Sequence, residues 1–520
     1  MNKTLPVTPI ILQENTPLKI DFLEQSCLPD EINKEIFISD LNSFLCNVLD
    51  IKEQDSQNRG FKYVGLMEYP AEDRNYMLYF FPKYYDMNTV TGKAILDNKS
   101  LPYKHFCNIL KTINKYRQDE WKQRSIQENT LETNIEEDYE TVKHGKLALA
   151  ITLIGDYLEN GIYSNMKSYR TQCGNGAIDW QYTIDSVMPV IHDNTPYYFE
   201  YWTNNRIANT ETLITRLHEA IIKDCADVLL KYGIADLLDL CVPIIPCESE
   251  LNYFGNELNL LMLIEKEMSV QFITQKQHLL KLMYLYVKSD AMISVSQGIT
   301  MFGTKSFHMV WEKVCGKVFG NQLDEDIPSE FIPDDFNKEL KWSQVESRSI
   351  WYIGDNNSGN ADDDEKEKNA SKLKLDFIAL KNDILYILDA KYYIPVFPDN
   401  NEENIKGCPG VGDVNKQHLY QLTYHPLIKK NNWKVVNAFL MPKAYINEIH
   451  AEKAISVFCS LFHGLEIMDK NGNIFRFVPI QTILLEPDLL FNHYINGKNG
   501  FEMLNKLKAD DVYLPSSASS

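Results

Sequence analysis

Apolar residues change period along this chain, and the changes divide it. Leu375 to Leu380 and Ile384 to Leu388 are two short apolar runs joined by the polar Lys381-Asn382-Asp383, a pattern that predicts an antiparallel hairpin. Upstream, Phe307, Val310, Trp311, Val314, Cys315 and Val318 keep helical spacing. Downstream, Asp413 to Tyr424 predicts a helix stopped by Pro426, with Gln417, Gln421 and Tyr424 near one face, and Trp433 to Leu440 predicts a strand.

The rest of the chain has other textures. Residues 1–140 alternate strand-like segments, among them Phe61–Met67 and Tyr76–Phe81, with loops, and end in a polar stretch from Gln118 to Thr141 that reads as an exposed connector or a charged helix. Residues 141–298 read as mainly helical. Leu147, Leu149, Ala150, Leu153 and Ile154 mark one apolar face ending at Asn160-Gly161, and a second helix runs from Glu211 to about Tyr232. Between these helices lie a turn and strand at Gly174–Trp180 and an aromatic strand at Tyr197–Trp202. Trp180, Tyr197, Tyr198, Tyr201 and Trp202 would suit a base-stacking platform, but at strand spacing a core or interface role is expected of them. The expectation is an α+β multidomain chain: a strand-rich N-terminal module (1–140) suited to partner docking, a mainly helical middle region (141–298) and a C-terminal domain (299–510).

Composition narrows the setting. At 520 residues the chain exceeds one compact core, and its 44% apolar and 24% charged residues are ordinary for a globular protein. No run of about eighteen apolar residues predicts a membrane span, the start lacks the apolar stretch of a secretory signal, and a cytoplasmic location is expected. Ten cysteines without a C-x-x-C pair predict buried free thiols rather than a zinc or redox site. A formal charge of −20 argues against a chain that grips nucleic acid unaided, because phosphate neutralisation supplies most non-specific affinity. Either a local basic channel or a partner must bring such a ligand. The acidic run through Asp362-Asp363-Asp364-Glu365 lacks the EF-hand spacing and reads as a solvated loop.

Candidate chemistry gathers at the predicted hairpin. Asp389 and Lys391, two apart, point to one face of the second strand, and Asp376 on the neighbouring strand reaches the same place. Two carboxylates and a lysine on a buried sheet face are costly unless the charges are compensated, and a divalent cation would do so. Carboxylates that hold Mg²⁺ (or Mn²⁺) and a lysine beside the phosphate are what phosphodiester hydrolysis needs. Glu312, at the polar side of its helix, could lean toward the same metal. Gly298 to Ser306 imitates a phosphate-binding loop, but Thr304 separates Gly303 from Lys305, and no nucleotide site is expected there.

Helix, strands bearing Asp376 and Asp389-Ala390-Lys391, helix with Gln417 and Tyr424, then strand: this order resembles the α-β-β-β-α-β core, with its mixed sheet, of the PD-(D/E)XK nucleases. Val64-Gly65-Leu66, Phe81-Pro82-Lys83-Tyr84-Tyr85, Trp311-Glu312, Asp376, Asp389-Ala390-Lys391 and Asp413-x-x-Lys416-Gln417 together resemble the LlaJI-type restriction endonuclease family, itself similar to the McrC nuclease subunit of McrBC systems. The resemblance implies a Mg²⁺-dependent endonuclease acting on double-stranded DNA in anti-phage restriction. It implies Asp376, Asp389, Lys391 and Glu312 as the catalytic set, with Gln417 in support. It also implies assembly with a McrB-like AAA+ GTPase that selects the DNA, which suits an acidic chain. A non-catalytic scaffold of that motor and a stand-alone repair-type nuclease are the alternatives.

Overall fold

The computed structural model describes residues 8–18, 26, 33–71, 75–87, 90–127, 146–209, 211–245, 250–293, 301–334, 336, 338–345, 348–349, 371–372, 375–395, 405–443, 458–459, 466–468 and 474–514. The acidic run of 354–369 lies outside them, as do residues 298–300 of the phosphate-loop lookalike. The protein is α+β with mixed sheets, and contacts divide it into two compact units. One comprises Met1–Thr8, Met67–Tyr76 and Glu132–Phe302; the other comprises Pro9–Leu66, Met77–Leu131 and Gly303–Ser520. Residues 9–66 and 77–131 therefore belong to the same unit as the predicted hairpin.

In the first unit, helices Lys146–Asn160, Leu213–Lys231, Glu257–Val270 and Thr274–Ile293 pack on one another. The expected face of Leu147, Leu149, Ala150, Leu153 and Ile154 is buried. Thr212 caps the second helix by accepting from Thr215 N at 3.2 Å. The same unit carries a three-stranded antiparallel sheet of Asn165–Gln172, Trp202–Asn209 and Ala177–Ile178. Five successive residues of its first strand are exposed; because successive side chains point to opposite faces, neither face is covered there. A core role for the aromatics is therefore not what the structure shows: Trp180 is 54% and Tyr197 48% exposed. A second layer is what would bury them, and the described residues of this unit place none on that strand.

Strands β1 (Thr8–Gln13), β2 (Val64–Pro70), β3 (Asn75–Phe81) and β4 (Met301–Thr304) form a four-stranded sheet in the order β1-β3-β2-β4. Helix α1 (Leu101–Gln127) follows β3, and α2 (Phe307–Phe319) follows β4. The described part of the phosphate-loop lookalike is thus a strand and a turn. A Cβ on Gly303 would fall 2.3 Å from Val64 O, and Lys305 Nζ donates to Leu49 O at 2.7 Å. Both residues serve packing.

Next come β5 (Phe377–Lys381) and β6 (Ile384–Ala390), paired antiparallel as expected. Their two-residue loop, Asn382-Asp383, has φ of 51° and 59°, the left-handed conformation that Asn and Asp tolerate best and that tight hairpins need. Helices α3 (Val411–Thr423) and α4 (His425–Asn431) precede β7 (Lys434–Pro442), which runs parallel to β6. Pro426 begins α4 instead of ending the helical run: it stands in the first turn, where its missing N–H costs nothing. With β8 (Phe458–Cys459) and β9 (Ile480–Leu485) the main sheet has the order β5-β6-β7-β9-β8, and Asp510–Asp511 pairs beside β7. Two strands of this sheet, rather than three, stand between α2 and α3 among the described residues; Arg348–Ser349 and Ser371–Lys372 pair separately.

One face of the hairpin (Ile378, Leu385 and Ile387) packs on Tyr420 and Tyr424 of α3 and on Leu427 and Ile428 of α4, with Trp342 and Trp433 in the same cluster. Helix α5 (Pro487–Ile495) packs on α1 and α2. Lys115 of α1 donates to Tyr494 O and Ile495 O at 2.7 and 2.9 Å, satisfying carbonyls that the end of α5 leaves open. Among the described cysteines, Cys46, Cys107, Cys225 and Cys315 are buried as expected, whereas Cys173 and Cys241 are exposed. No helix among the described residues is long and apolar enough to cross a membrane.

Candidate functional site

The hairpin register builds the site. Ile378 faces Ile387 and Phe377 faces Leu388; one step further along the same register, Asp376 faces Asp389. Asp389 and Lys391 thus continue the face of Leu385 and Ile387 past the end of the apolar core. The segment after α2 fixes Asp376 from outside the hairpin. Asn321 Nδ2 donates to Asp376 O at 2.8 Å, Asn321 Oδ1 accepts from Ile378 N, and Gln322 Oε1 accepts from Leu380 N at 2.7 Å. Two polar side chains thereby replace the strand partner that the edge of β5 lacks. On the other side, Lys391 N donates to Leu440 O at 2.9 Å, extending the β6–β7 pairing beyond Ala390.

Helix α3 lies over this face and presents one residue per turn. Gln417, fully buried, donates from Nε2 to Ile387 O at 2.9 Å, and Asn437 Nδ2 donates to Gln417 O at 3.3 Å. Gln417 therefore braces the backbone two residues before Asp389 instead of facing the carboxylates. One turn earlier, Asp413 Oδ1 is 3.2 Å from Lys391 Nζ, which is also 3.0 Å from Asp389 Oδ2. Asp413 is a site residue that sequence reading left out of the set. Its signal was present: it stands four residues before Gln417, on the same side of the predicted helix. Lys416, by contrast, is exposed.

Electrostatics set this cluster apart. Asp389 is 3% exposed, and its Oδ1 has no hydrogen-bond donor among the described residues. Burial raises the Asp376 carboxyl strongly, its hydrogen bond with Asp389 raises it further, and the charges of Asp389 and Glu312 add to this; Lys391 opposes them. Glu312, open to solvent along part of its length, is raised by burial and then by the charge of Asp389. Burial pulls the Lys391 ammonium down, but Asp389, Asp413 and Asp376 outweigh it and hold the group well above the ordinary lysine range. The structure therefore brings Asp376, Asp389 and Lys391 together, with Glu312 in electrostatic contact. Among the described residues, no three His, Cys, Asp or Glu side chains form a ready metal cage. The donor chemistry still suits a hard divalent cation, since Mg²⁺ is commonly held by one or two carboxylates and completes its shell with water and phosphate oxygens. An orphaned carboxylate oxygen beside a second carboxyl is what such a cation would satisfy.

The sequence profile of the LlaJI restriction endonuclease family matches residues 63–345 and 358–463. The chain belongs to this family. Both matched stretches of the LlaJI profile hold parts of the site: Glu312 in the first, and Asp376, Asp389, Lys391, Asp413 and Gln417 in the second. Among similar proteins is the type II restriction enzyme BsuMI component YdjA of Bacillus subtilis (strain 168), 26% identical over 335 residues. That similarity spans 62% of this chain and 61% of the relative.

Proposed function

We propose that this chain is the DNA-cleaving subunit of a restriction system, a Mg²⁺-dependent endonuclease with a PD-(D/E)XK-type core. The observation that carries the reading is the Asp376–Asp389 carboxyl pair, drawn together at the open end of a buried hairpin with Lys391 beside it. Family membership and the likeness to a restriction enzyme component support it.

Asp376 and Asp389 would hold the cation, with Glu312 adjoining. Bound there, a divalent ion supplies a Lewis acid for the phosphoryl oxygen and an acidified water. Lys391 keeps its proton between Asp389 and Asp413, so it serves as a cation that orients the attacking water and offsets charge on the phosphoryl group. Asp413 anchors that ammonium, and Gln417 holds the strand that carries both groups. A chain of formal charge −20 cannot lean on non-specific attraction to DNA, and a relative named as a component of an enzyme implies further subunits. A McrB-like AAA+ GTPase that delivers DNA is the partner we propose.

The test is to incubate the chain with plasmid DNA and Mg²⁺ or Mn²⁺, beside Asp389→Ala and Lys391→Ala, with and without the product of an adjacent NTPase gene. Cleavage lost in both variants is expected. Absence of cleavage under every condition, with NTP hydrolysis by the partner still stimulated, would transfer the function to a non-catalytic scaffold.

A further inference from the structure

The Phe81-Pro82-Lys83-Tyr84-Tyr85 segment, far from the catalytic residues in sequence, is fastened to them in space. Glu14, at the end of β1 and buried, accepts through Oε2 from Tyr392 Oη at 2.6 Å and from Lys83 N at 3.2 Å. Tyr392 follows Lys391 directly. Its ring meets Tyr84 edge-on at 6.3 Å and Phe307, in the first turn of α2, at 5.5 Å. Gln13 Nε2 donates to Tyr85 O at 2.7 Å and so secures the other end of the segment.

These contacts set the Lys83 ammonium 4.4 Å from the centre of the Tyr392 ring and 6.0 Å from that of Tyr393. Lys62, exposed, lies within electrostatic reach of Lys83, and both act on His308. His308 precedes Glu312 by one turn on the same side of α2. Lys83 makes no ion pair with a described residue, and Glu14 offsets only one of the two lysine charges. Two lysines held together repel each other, and among the described residues the single charge of Glu14 acts on both. An anion arriving from solvent would compensate them.

We propose that Lys83, with Lys62 and His308 beside it, clamps a DNA phosphate next to the phosphodiester presented to Asp389 and Lys391. The inference rests on the nuclease reading. Lys391, tied to Asp389 and Asp413, is committed to the reacting centre, whereas Lys83, braced over an aromatic ring, grips the backbone one step away. The local basic channel that an acidic nuclease needs is therefore supplied by the N-terminal strands rather than by the catalytic hairpin.

The experiment measures binding of a labelled 30-base-pair duplex in Ca²⁺ across a salt series, and cleavage of the same duplex in Mg²⁺. The full chain is used together with the product of the adjacent NTPase gene. Lys83→Gln should weaken binding about tenfold and flatten the plot of log affinity against log salt by roughly one unit, as loss of one phosphate contact does. Lys83→Arg should restore both. The cleavage loss in Lys83→Gln should fall on the half-saturating DNA concentration more than on the saturated rate, a split that a purely structural defect would not give. Lys62→Gln, at an exposed position, should shift the salt slope the same way even if Lys83→Gln folds poorly. Wild-type affinity and slope in folded Lys83→Gln, or in Lys62→Gln where Lys83→Gln does not fold, alongside normal cleavage by the unaltered chain, would overturn the clamp and leave the nuclease standing. No binding and no cleavage by the unaltered chain in either metal would remove the nuclease reading and the clamp with it.

Discussion

Two sheets in this protein have aspartates in or directly beside their strands, and they treat them in opposite ways. In the sheet of residues 165–209, Asp179 is served by three donors: Tyr182 N at 3.1 Å, Arg170 Nε at 2.9 Å and Asn204 Nδ2 at 3.1 Å. The Tyr182 N–H first, then Arg170, hold its carboxyl below the usual range. Asp376 and Asp389 stand at the end of strands covered by α3 and by the turn after α2. There burial, the hydrogen bond with Asp389 and mutual repulsion push Asp376 up, and Asp389 Oδ1 finds no donor among the described residues. A carboxylate with its donors in place is structural. One with an oxygen left over inside a covered sheet is a candidate for a ligand from outside, which is the role we propose for Asp389.

The largest effect that would sharpen this contrast is on cleavage. Asp389→Ala should lower the rate by on the order of a thousandfold, while Asp179→Ala leaves it unchanged in the same plasmid assay. Asp413→Asn, which loosens the grip on Lys391, should cost roughly 10- to 100-fold, the range for residues that orient a reacting group; an unchanged rate would strike Asp413 from the site. Mg²⁺ should raise the melting temperature, by the equivalent of about 2.7 kcal/mol at a hundredfold excess over its Kd. Because the folded Asp376 carboxyl is raised, its contribution to metal-free stability is fully present below the unfolded value of ~3.9 and is lost as pH rises through the folded one. The Mg²⁺-induced shift should therefore grow with pH, and a shift independent of pH would contradict the site. Gln417→Leu leaves Ile387 O without its donor and should cost about 1–3 kcal/mol in denaturant unfolding. Smallest of all, Phe199→Ser, at a residue 75% exposed in the uncovered region, should change stability by no more than ~0.5 kcal/mol.

The legibility of the sequence follows the same divide. Two apolar runs on either side of Asn382-Asp383 made the hairpin legible, and the side-chain period of two put Asp389 and Lys391 on one face with Asp376 in reach; the register came from the structure. The helices around Leu153 and Thr212 were legible from their own period of 3.6, which likewise leaves one face to bury. Trp180 and Tyr197 were not: Trp180 opens a short helix (Trp180–Ser186) instead of ending the expected strand, Tyr197 ends a strand of three residues (Thr195–Tyr197), and whether a layer covers either is decided by distant chain. Asp413 stood in the family pattern but was left out of the catalytic set, because its contact with Lys391 depends on how α3 packs against β6. Lys83 and Glu14 were beyond reach for the same cause, since nothing local to either announces Tyr392.

The Glu14–Tyr392 hydrogen bond also has a meaning in time. Its partners lie 378 residues apart, so it cannot form until the whole stretch between them has been made. Helix α5, which packs behind α2, comes later still. A chain that stopped short of residue 487 would lack the helix behind α2. On the proposed nuclease function, such a fragment would carry Asp376 and Asp389 without the packing that holds α2 and Glu312 beside them.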